Sequence, residues 1–300
     1  MAPYLQPVLI YNPKAGKVQR NSGRLIERTT EALARANIAP KLLPTTASGH
    51  ATALAREAVA GGADLVLVLG GDGTINEVAN GMVNSAVPLG VLPGGTANVL
   101  AMELGLGSSA ERAAQRLNRC VKKKISLGKM TRSDGTSRHF LLMGGVGLDA
   151  AIVNAVDPAL KAKTGKFAYW VAGLARFTQT IEQFTVKVAG IEKQCGFALA
   201  ARVRNYGGDL EIAKGASLLK DDFEVVLFEG SHPLRYAGYM LAVGIRCVQV
   251  LPGVQTVRAS AMEFSGCAPV QIDGEAVGKL PVRFEIEAAA LTLLVPPRYK

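Results

Sequence analysis

Cysteine is scarce in this 300-residue chain: Cys120, Cys195, Cys247 and Cys267 lie far apart with no CxxC pair, and there are only three histidines. That excludes a dense disulfide framework and a zinc site of ordinary ligand spacing, and it fits a reducing cytoplasm. Long apolar runs are missing too. In the longest, LRYAGYMLAVGIRCVQVLPGV, Arg235 and Arg246 leave ten uncharged residues between them, where a membrane span needs about 20. The opening MAPYLQPVLIYNP lacks the basic and apolar regions of a signal peptide and reads as a first strand, Pro7 to Tyr11. Basic residues are plentiful but not gathered. Of a formal net charge of +10, only Lys122, Lys123 and Lys124 cluster, without aromatic interleaving or any zinc-finger, RRM or helix-turn-helix pattern. Nucleic acid is therefore not an expected partner, which leaves an anionic membrane surface or nucleotide phosphates.

What is present is a core: 49% hydrophobic and 19% charged residues suffice for one large domain or two ordinary ones. Over residues 1–125, short apolar runs alternate with helical patterns. The runs are VLIY at 8–11, KLLP at 41–44, DLVLVLG at 64–70 and PLGVL at 88–92; helices are expected near 21–37, 50–59, from Thr74, at 97–104 and at 109–119. Such alternation predicts right-handed βαβ units around a largely parallel sheet. After about residue 125 strand patterns dominate to 287, among them FLLM at 140–143, FTVKVAG at 184–190, FALAARV at 197–203 and FEVVLF at 223–228. Helical patterns there are confined to 149–181 and 233–246. The fold class expected is an α/β N-terminal domain followed by a β-rich, mostly antiparallel C-terminal domain.

Three glycine-rich loops follow the strands of the first domain: NPKAGK at 12–17, GGDGT at 70–74 and PGGTAN at 93–98. Open α/β sheets place ligands at the carboxyl ends of their strands. Gly70, Gly71 and Gly73 let backbone approach a phosphate, and the helix that follows directs its N–H groups and positive dipole end at the anion. A branched side chain at Gly71 is expected to block that approach and to conflict with a left-handed backbone. The plainer reading is a strand-to-helix turn with Thr74 as N-cap. No GxxxxGK[ST] is present, so this is not a Walker-type NTPase. Gly145 to Ala150 matches GxGxxA, but in the β-rich half and without a βαβ unit.

In order along the chain, NPKAGK at 12–17, TTASGHA at 45–51, GGDGTINEVANG at 70–81, LPGGTANVLA at 92–101, GVGLDA at 145–150, NYGGDLEIA at 205–213 and DGE at 273–275 resemble the diacylglycerol kinase and sphingosine kinase family of lipid kinases. The resemblance covers nearly the whole chain; GGDGT alone also occurs in NAD kinases. It implies a phosphofructokinase- and NAD kinase-like first domain, rejoined by residues 288–300, and a lipid-binding second domain at 126–287. It implies ATP and Mg²⁺ as cofactors, with Asn12, Pro13, Lys14, Ala15, Gly16, Thr45, Gly70, Gly71, Asp72, Gly73, Thr74, Ile75, Asn76, Gly95 and Thr96 on ATP-contacting positions. Asp72 is then the acidic residue near phosphates and metal. Two departures stand out. Val99 follows Asn98 where the family often has Asp, and the Mg²⁺ loop reads LLKDDFEVV, one residue short and with Asp222 where Gly is usual. Asp221 is the metal ligand the resemblance points to, with carbonyls near Leu218 and Phe223.

Phosphoryl transfer to a lipid hydroxyl needs a carboxylate to take the proton. Locally, Asp273-Gly274 reads as a tight hairpin turn; the resemblance instead makes Glu275 the general base and Asp273 its supporting carboxylate. GKFAYWVAGLARFTQTI puts Phe167, Trp170, Val171, Leu174, Phe177 and Ile181 on one helical stripe near Lys163, Lys166 and Arg176. That stripe suits a core-facing helix or an amphipathic surface on anionic lipid. The resemblance implies a cytoplasmic enzyme peripherally associated with the membrane and acting on diacylglycerol, with a sphingoid base or another lipid as alternatives. An NAD kinase-like small-molecule kinase and a non-catalytic nucleotide sensor are the competing classes. Homodimerisation is left open.

Overall fold

Residues 4–20, 23–148, 150, 181–206, 210–244 and 247–299 are described in a computed structural model. The chain divides into two compact units, Met1–Leu127 with Ala288–Lys300, and Gly128–Glu287.

The first unit is a parallel sheet with helices between its strands. Its elements are β1 (Pro7–Tyr11), α1 (Gly16–Arg20), α2 (Arg24–Arg35), β2 (Lys41–Pro44), α3 (His50–Ala60), β3 (Leu65–Gly70), α4 (Asp72–Met82), β4 (Leu89–Pro93), α5 (Val99–Glu103) and α6 (Ala110–Arg116). A long strand, β5 (Val121–Arg132), leaves this unit, and the end of β18 (Val282–Val295) re-enters it. The order is β2-β1-β3-β4-β18, each neighbouring pair parallel. Central β3 is buried along its whole length, as its continuous LVLVL run requires in a sheet covered on both faces. On α2, Leu25, Thr29, Ala32 and Leu33 form the buried stripe. Two details differ from the sequence expectation. The NPKAGK loop closes into the five-residue α1, and α4 begins at Asp72 with Gly71, not Thr74, at its N-cap.

The second unit contains β6 (Ser137–Phe140), β7 (Met143–Gly147), β8 (Phe184–Val188), β9 (Ile191–Cys195), β10 (Phe197–Ala201), β11 (Asn205–Tyr206), β12 (Leu210–Glu211) and β13 (Phe223–Phe228). It continues with α7 (Pro233–Gly244), β14 (Val254–Ala259), β15 (Ala261–Ser265), β16 (Pro269–Ile272), β17 (Glu275–Lys279) and the first part of β18. One sheet runs β14-β13-β10-β7-β16-β17, antiparallel throughout. A second group, β18-β15-β8-β9, is also antiparallel. Their shared core holds Phe140, Phe184, Phe223, Phe264 and Phe284. Ring centroids of Phe284 lie 5.3 Å from Phe140 and 5.1 Å from Phe264, the tilted packing that aromatic quadrupoles favour. Gly144 admits Phe284, because a β-carbon there would fall 2.4 Å from its ring. The FLLM run is broken. β6 ends at Phe140 and β7 starts at Met143, since the intervening backbone turns its amides to a distant carboxylate, described below. Most of the apolar stripe expected over 165–181 lies outside the described residues; Ile181 is buried.

Candidate functional site

Because β1, β3 and β4 are adjacent and parallel, the segments leaving their carboxyl ends emerge on one edge of the sheet. Backbone bonds tie these segments to each other. Asn12 N donates to Leu69 O at 3.1 Å, Gly94 N to Gly70 O at 2.8 Å, and Lys17 N to Gly94 O at 3.0 Å. Side chains extend the weave. Asn12 Nδ2 donates to Thr74 Oγ1 at 3.2 Å, while Asn12 Oδ1 accepts from Lys14 N at 2.8 Å. Thr45 N donates to Tyr11 O at 2.8 Å.

The glycines serve close contacts within and between the loops themselves. Gly71 has φ −89° and ψ 178°, ordinary extended backbone, so the left-handed conformation expected there is not found. Its neighbour explains the small residues. A β-carbon at Gly95 would lie 2.4 Å from Gly71 Cα, one at Gly70 2.7 Å from Thr74 Cβ, and one at Gly16 2.9 Å from Thr96 Oγ1. Gly71 is less constrained, with 3.4 Å to Gly95 Cα.

Asp72 opens α4, yet its carboxylate serves a different helix. Oδ2 accepts from Val99 N at 3.1 Å and Oδ1 from Leu100 N at 3.2 Å, the first amides of α5. Asn98 closes the same corner, accepting from Gly95 N at 2.8 Å and donating to Gly95 O at 2.9 Å. Burial raises the Asp72 carboxyl above its ordinary range, opposed by the amides of Val99 and Leu100. A group with a folded pKa above its unfolded one favours the fold below the unfolded pKa, and that contribution is lost as pH rises through the folded value. Asp72 therefore contributes less to stability as pH rises through its elevated folded value, and the α5 amides offset part of that loss.

The remaining first-unit candidates divide by exposure. Pro13, Lys14 and Thr96 are exposed; Gly16, Thr45 and Gly73 are half-buried; Ala15, Thr74, Ile75 and Asn76 are buried. Ile75 and Asn76 point into the unit, and Asn76 Oδ1 accepts from Asn80 Nδ2 at 3.2 Å. Sequence reasoning gave no role to Glu77, although it lies in GGDGTINEVANG. Its carboxylate accepts from Gly49 N at 2.8 Å and Ala51 N at 3.1 Å, capping α3 and fixing the TTASGHA segment. Gly81 permits the close α3–α4 packing, since a β-carbon there would fall 2.5 Å from Thr52 O.

In the second unit, Asp273-Gly274 does form the tight turn between β16 and β17, with φ +49° and +80°. The Asp273 side chain does more than turn the chain. It is buried, Oδ1 accepts from Leu142 N at 2.8 Å and Met143 N at 3.0 Å, and Oδ2 accepts from Leu141 N at 2.8 Å. Glu275, first residue of β17, is partly exposed and accepts from Arg138 Nη2 of β6 at 2.6 Å.

The three metal candidates of the 218–223 segment sit differently. Leu218 O accepts from Arg202 Nη2 at 3.0 Å; Asp221 is exposed; Phe223 begins β13 with its ring buried. Arg202 Nη1 also donates to Asp222 O at 2.7 Å and to Lys220 O. The Asp222 carboxylate is gripped by Nε and Nη2 of Arg258. In the sequence, Arg202 reads only as part of the FALAARV strand at 197–203. Its signal was a lone cation ending the buried run FALAA.

Compared with protein families, residues 6–130 match the diacylglycerol kinase catalytic domain, and residues 144–295 match the YegS C-terminal NAD kinase beta sandwich-like domain. The chain belongs to the diacylglycerol kinase family. The diacylglycerol kinase of Staphylococcus carnosus is 25% identical over 284 residues, 92% of this chain and 90% of that one. An uncharacterized protein of Synechocystis is 33% identical over 177 residues, 55% of this chain and 39% of that longer one. A crystal structure of a diacylglycerol kinase from Bacillus anthracis shares the fold with a TM-score of 0.78 at 23% identity, covering 99% of both chains. The family thus accounts for an α/β first unit and an antiparallel second unit, and it places the chain among lipid kinases. No helix of the described residues is long and apolar enough to cross a membrane.

Proposed function

We propose that this protein is an ATP-dependent lipid kinase that transfers the γ-phosphoryl group of ATP to a hydroxyl of a membrane lipid, diacylglycerol first. The observation that carries the reading is the contact of Gly71 with Gly95 at the edge of a parallel sheet. It holds bare backbone beside the first turn of α4, whose amides have no intrahelical partner and suit a phosphate. ATP enters with its Mg²⁺ as one substrate. Asn12 to Gly16, Thr45, Gly70 to Asn76, Gly95 and Thr96 form its binding surface, with buried Ile75 and Asn76 anchoring the first turn of α4 beneath it. In the reaction, the lipid oxygen forms a bond to the γ-phosphorus as its bond to the β-phosphate oxygen breaks, and ADP leaves with that electron pair. Glu275 takes the hydroxyl proton, and Asp273 keeps its hairpin rigid. The second unit receives the lipid, and the net charge of +10 favours peripheral binding to an anionic membrane.

Radiolabelled ATP incubated with vesicles carrying a panel of lipids tests the reading. Labelled diacylglycerol phosphate is the expected product. Transfer to a sphingoid base would change the acceptor; transfer only to a soluble acceptor such as NAD, or ATP binding without transfer, would overturn lipid kinase activity.

The glycine contact makes a sharper expectation. Gly95→Ala forces two backbones apart, overpacking that costs about 1–3 kcal/mol, and ATP affinity should fall at least tenfold. Gly71→Ala meets only ordinary contact at an allowed φ and should leave affinity within about threefold, less than 0.7 kcal/mol. Calorimetric titration of both variants with ATP checks the contrast.

A further inference from the structure

We propose that the guanidinium of Arg202 is the cation of the 218–222 loop and stands in for the divalent metal that the family resemblance leads one to expect there. Arg202 is fully buried, and its side chain reaches three carbonyls of this one loop, those of Leu218, Lys220 and Asp222. Mg²⁺ demands near-octahedral oxygen ligands at about 2.1 Å. Here one of the carbonyls expected in such a shell, that of Leu218, converges on nitrogen together with the carbonyls of Lys220 and Asp222. A metal drawing on them would have to displace a side chain that is always charged and fully buried.

Two carboxylates close to Asp221 in sequence are engaged as well. Asp222, which occupies the position where the family usually has Gly, gives both carboxylate oxygens to Arg258, and Glu224 lies 3.6 Å from the same guanidinium. Lys220 Nζ donates to Gly215 O at 3.0 Å, adding a third cation to the neighbourhood. A loop one residue short, with an aspartate in place of glycine and an arginine directly after β10, therefore forms a self-contained set: internal cations hold what a metal would otherwise gather. The planar fork of arginine suits this task, because its donors diverge in fixed directions toward separate carbonyls, whereas a lysine ammonium is a point charge. The backbone of Arg202 carries the arrangement onward, donating to Leu142 O at 2.8 Å.

Melting of the 300-residue chain without nucleotide tests this independently of the kinase reading, whose failure would leave every arm unchanged. The parent should melt within about 1 °C in EDTA and in excess MgCl₂ at matched ionic strength, whereas loss of a structural metal would shift Tm by several degrees. Arg202→Lys and Arg202→Met should each lower Tm by about 5 °C or more. If Arg202→Met fails to fold, Arg202→Lys and the metal titration of the parent still decide. A saturable Mg²⁺-dependent rise in the parent Tm that Asp221→Asn abolishes would overturn the proposal. So would a parent-like Tm in Arg202→Lys.

Discussion

Asp273→Gly should lower the unfolding free energy by about 3–9 kcal/mol, because it strands three buried amides that each cost about 1–3 kcal/mol when left without a partner. Glycine is the informative replacement. The native φ of +49° is one it adopts at no steric cost, so the loss reports the carboxylate and not the turn. Asp273→Asn should fall between. Its Oδ1 can keep the bonds from Leu142 and Met143, while its amide nitrogen faces the N–H of Leu141, a single donor-to-donor conflict of about 1–3 kcal/mol. Urea unfolding of both variants gives the order parent, Asn, Gly. Equal stability of all three would mean that water satisfies the 141–143 amides, and the positioning role would fall with it.

Glu275→Gln should instead leave stability nearly untouched and reduce lipid phosphorylation by about 10²–10⁴. The side chain is partly exposed, and a pair with Arg138 of that kind contributes about 0–1 kcal/mol. Its importance is chemical: glutamine keeps the shape and the bond from Arg138 but cannot accept the hydroxyl proton. ATP affinity should stay within about twofold, under 0.5 kcal/mol, because the nucleotide contacts are proposed for the other unit. Arg138→Met acts through Glu275 as a positioning change, so it should lower kcat with little effect on ATP affinity and add little when combined with Glu275→Gln. If Glu275 only closes a hairpin, Glu275→Gln will turn over like the parent while Gly274→Val unfolds the protein.

The parallel sheet, the antiparallel second unit and the three glycine loops were legible because they depend on local order: continuous apolar runs, Gly and Pro punctuation, and the alternation of strand with helix. The Asp273-Gly274 turn was legible for the same reason. What the sequence hid was set by distant partners. The FLLM run looks like one strand until Asp273, 132 residues beyond Leu141, takes its amides. Gly71 looks like a conformational glycine until Gly95 is packed against it. The contribution of Glu77 depends on where α3 begins, and that of Arg202 on a loop 16 residues away whose carbonyls converge only after folding. The candidate residues themselves were named from the ordered motifs; periodicity alone would have left Glu275 as a hairpin residue.

Strand β18 serves both units in turn. Its first part pairs with β15 and its last part, through Leu293, with β4. For anyone cutting this protein into pieces, a fragment ending at residue 127 would keep every glycine loop yet leave β4 as an open edge, with N–H and C=O groups ready to recruit a strand from another molecule. Such a fragment should aggregate in proportion to its concentration. Supplying residues 288–300, as a fused or added peptide, should restore its solubility. The proposed nucleotide module is thus written in two places along the chain, and a cut that respects only the first of them separates the motifs from the strand that closes their sheet.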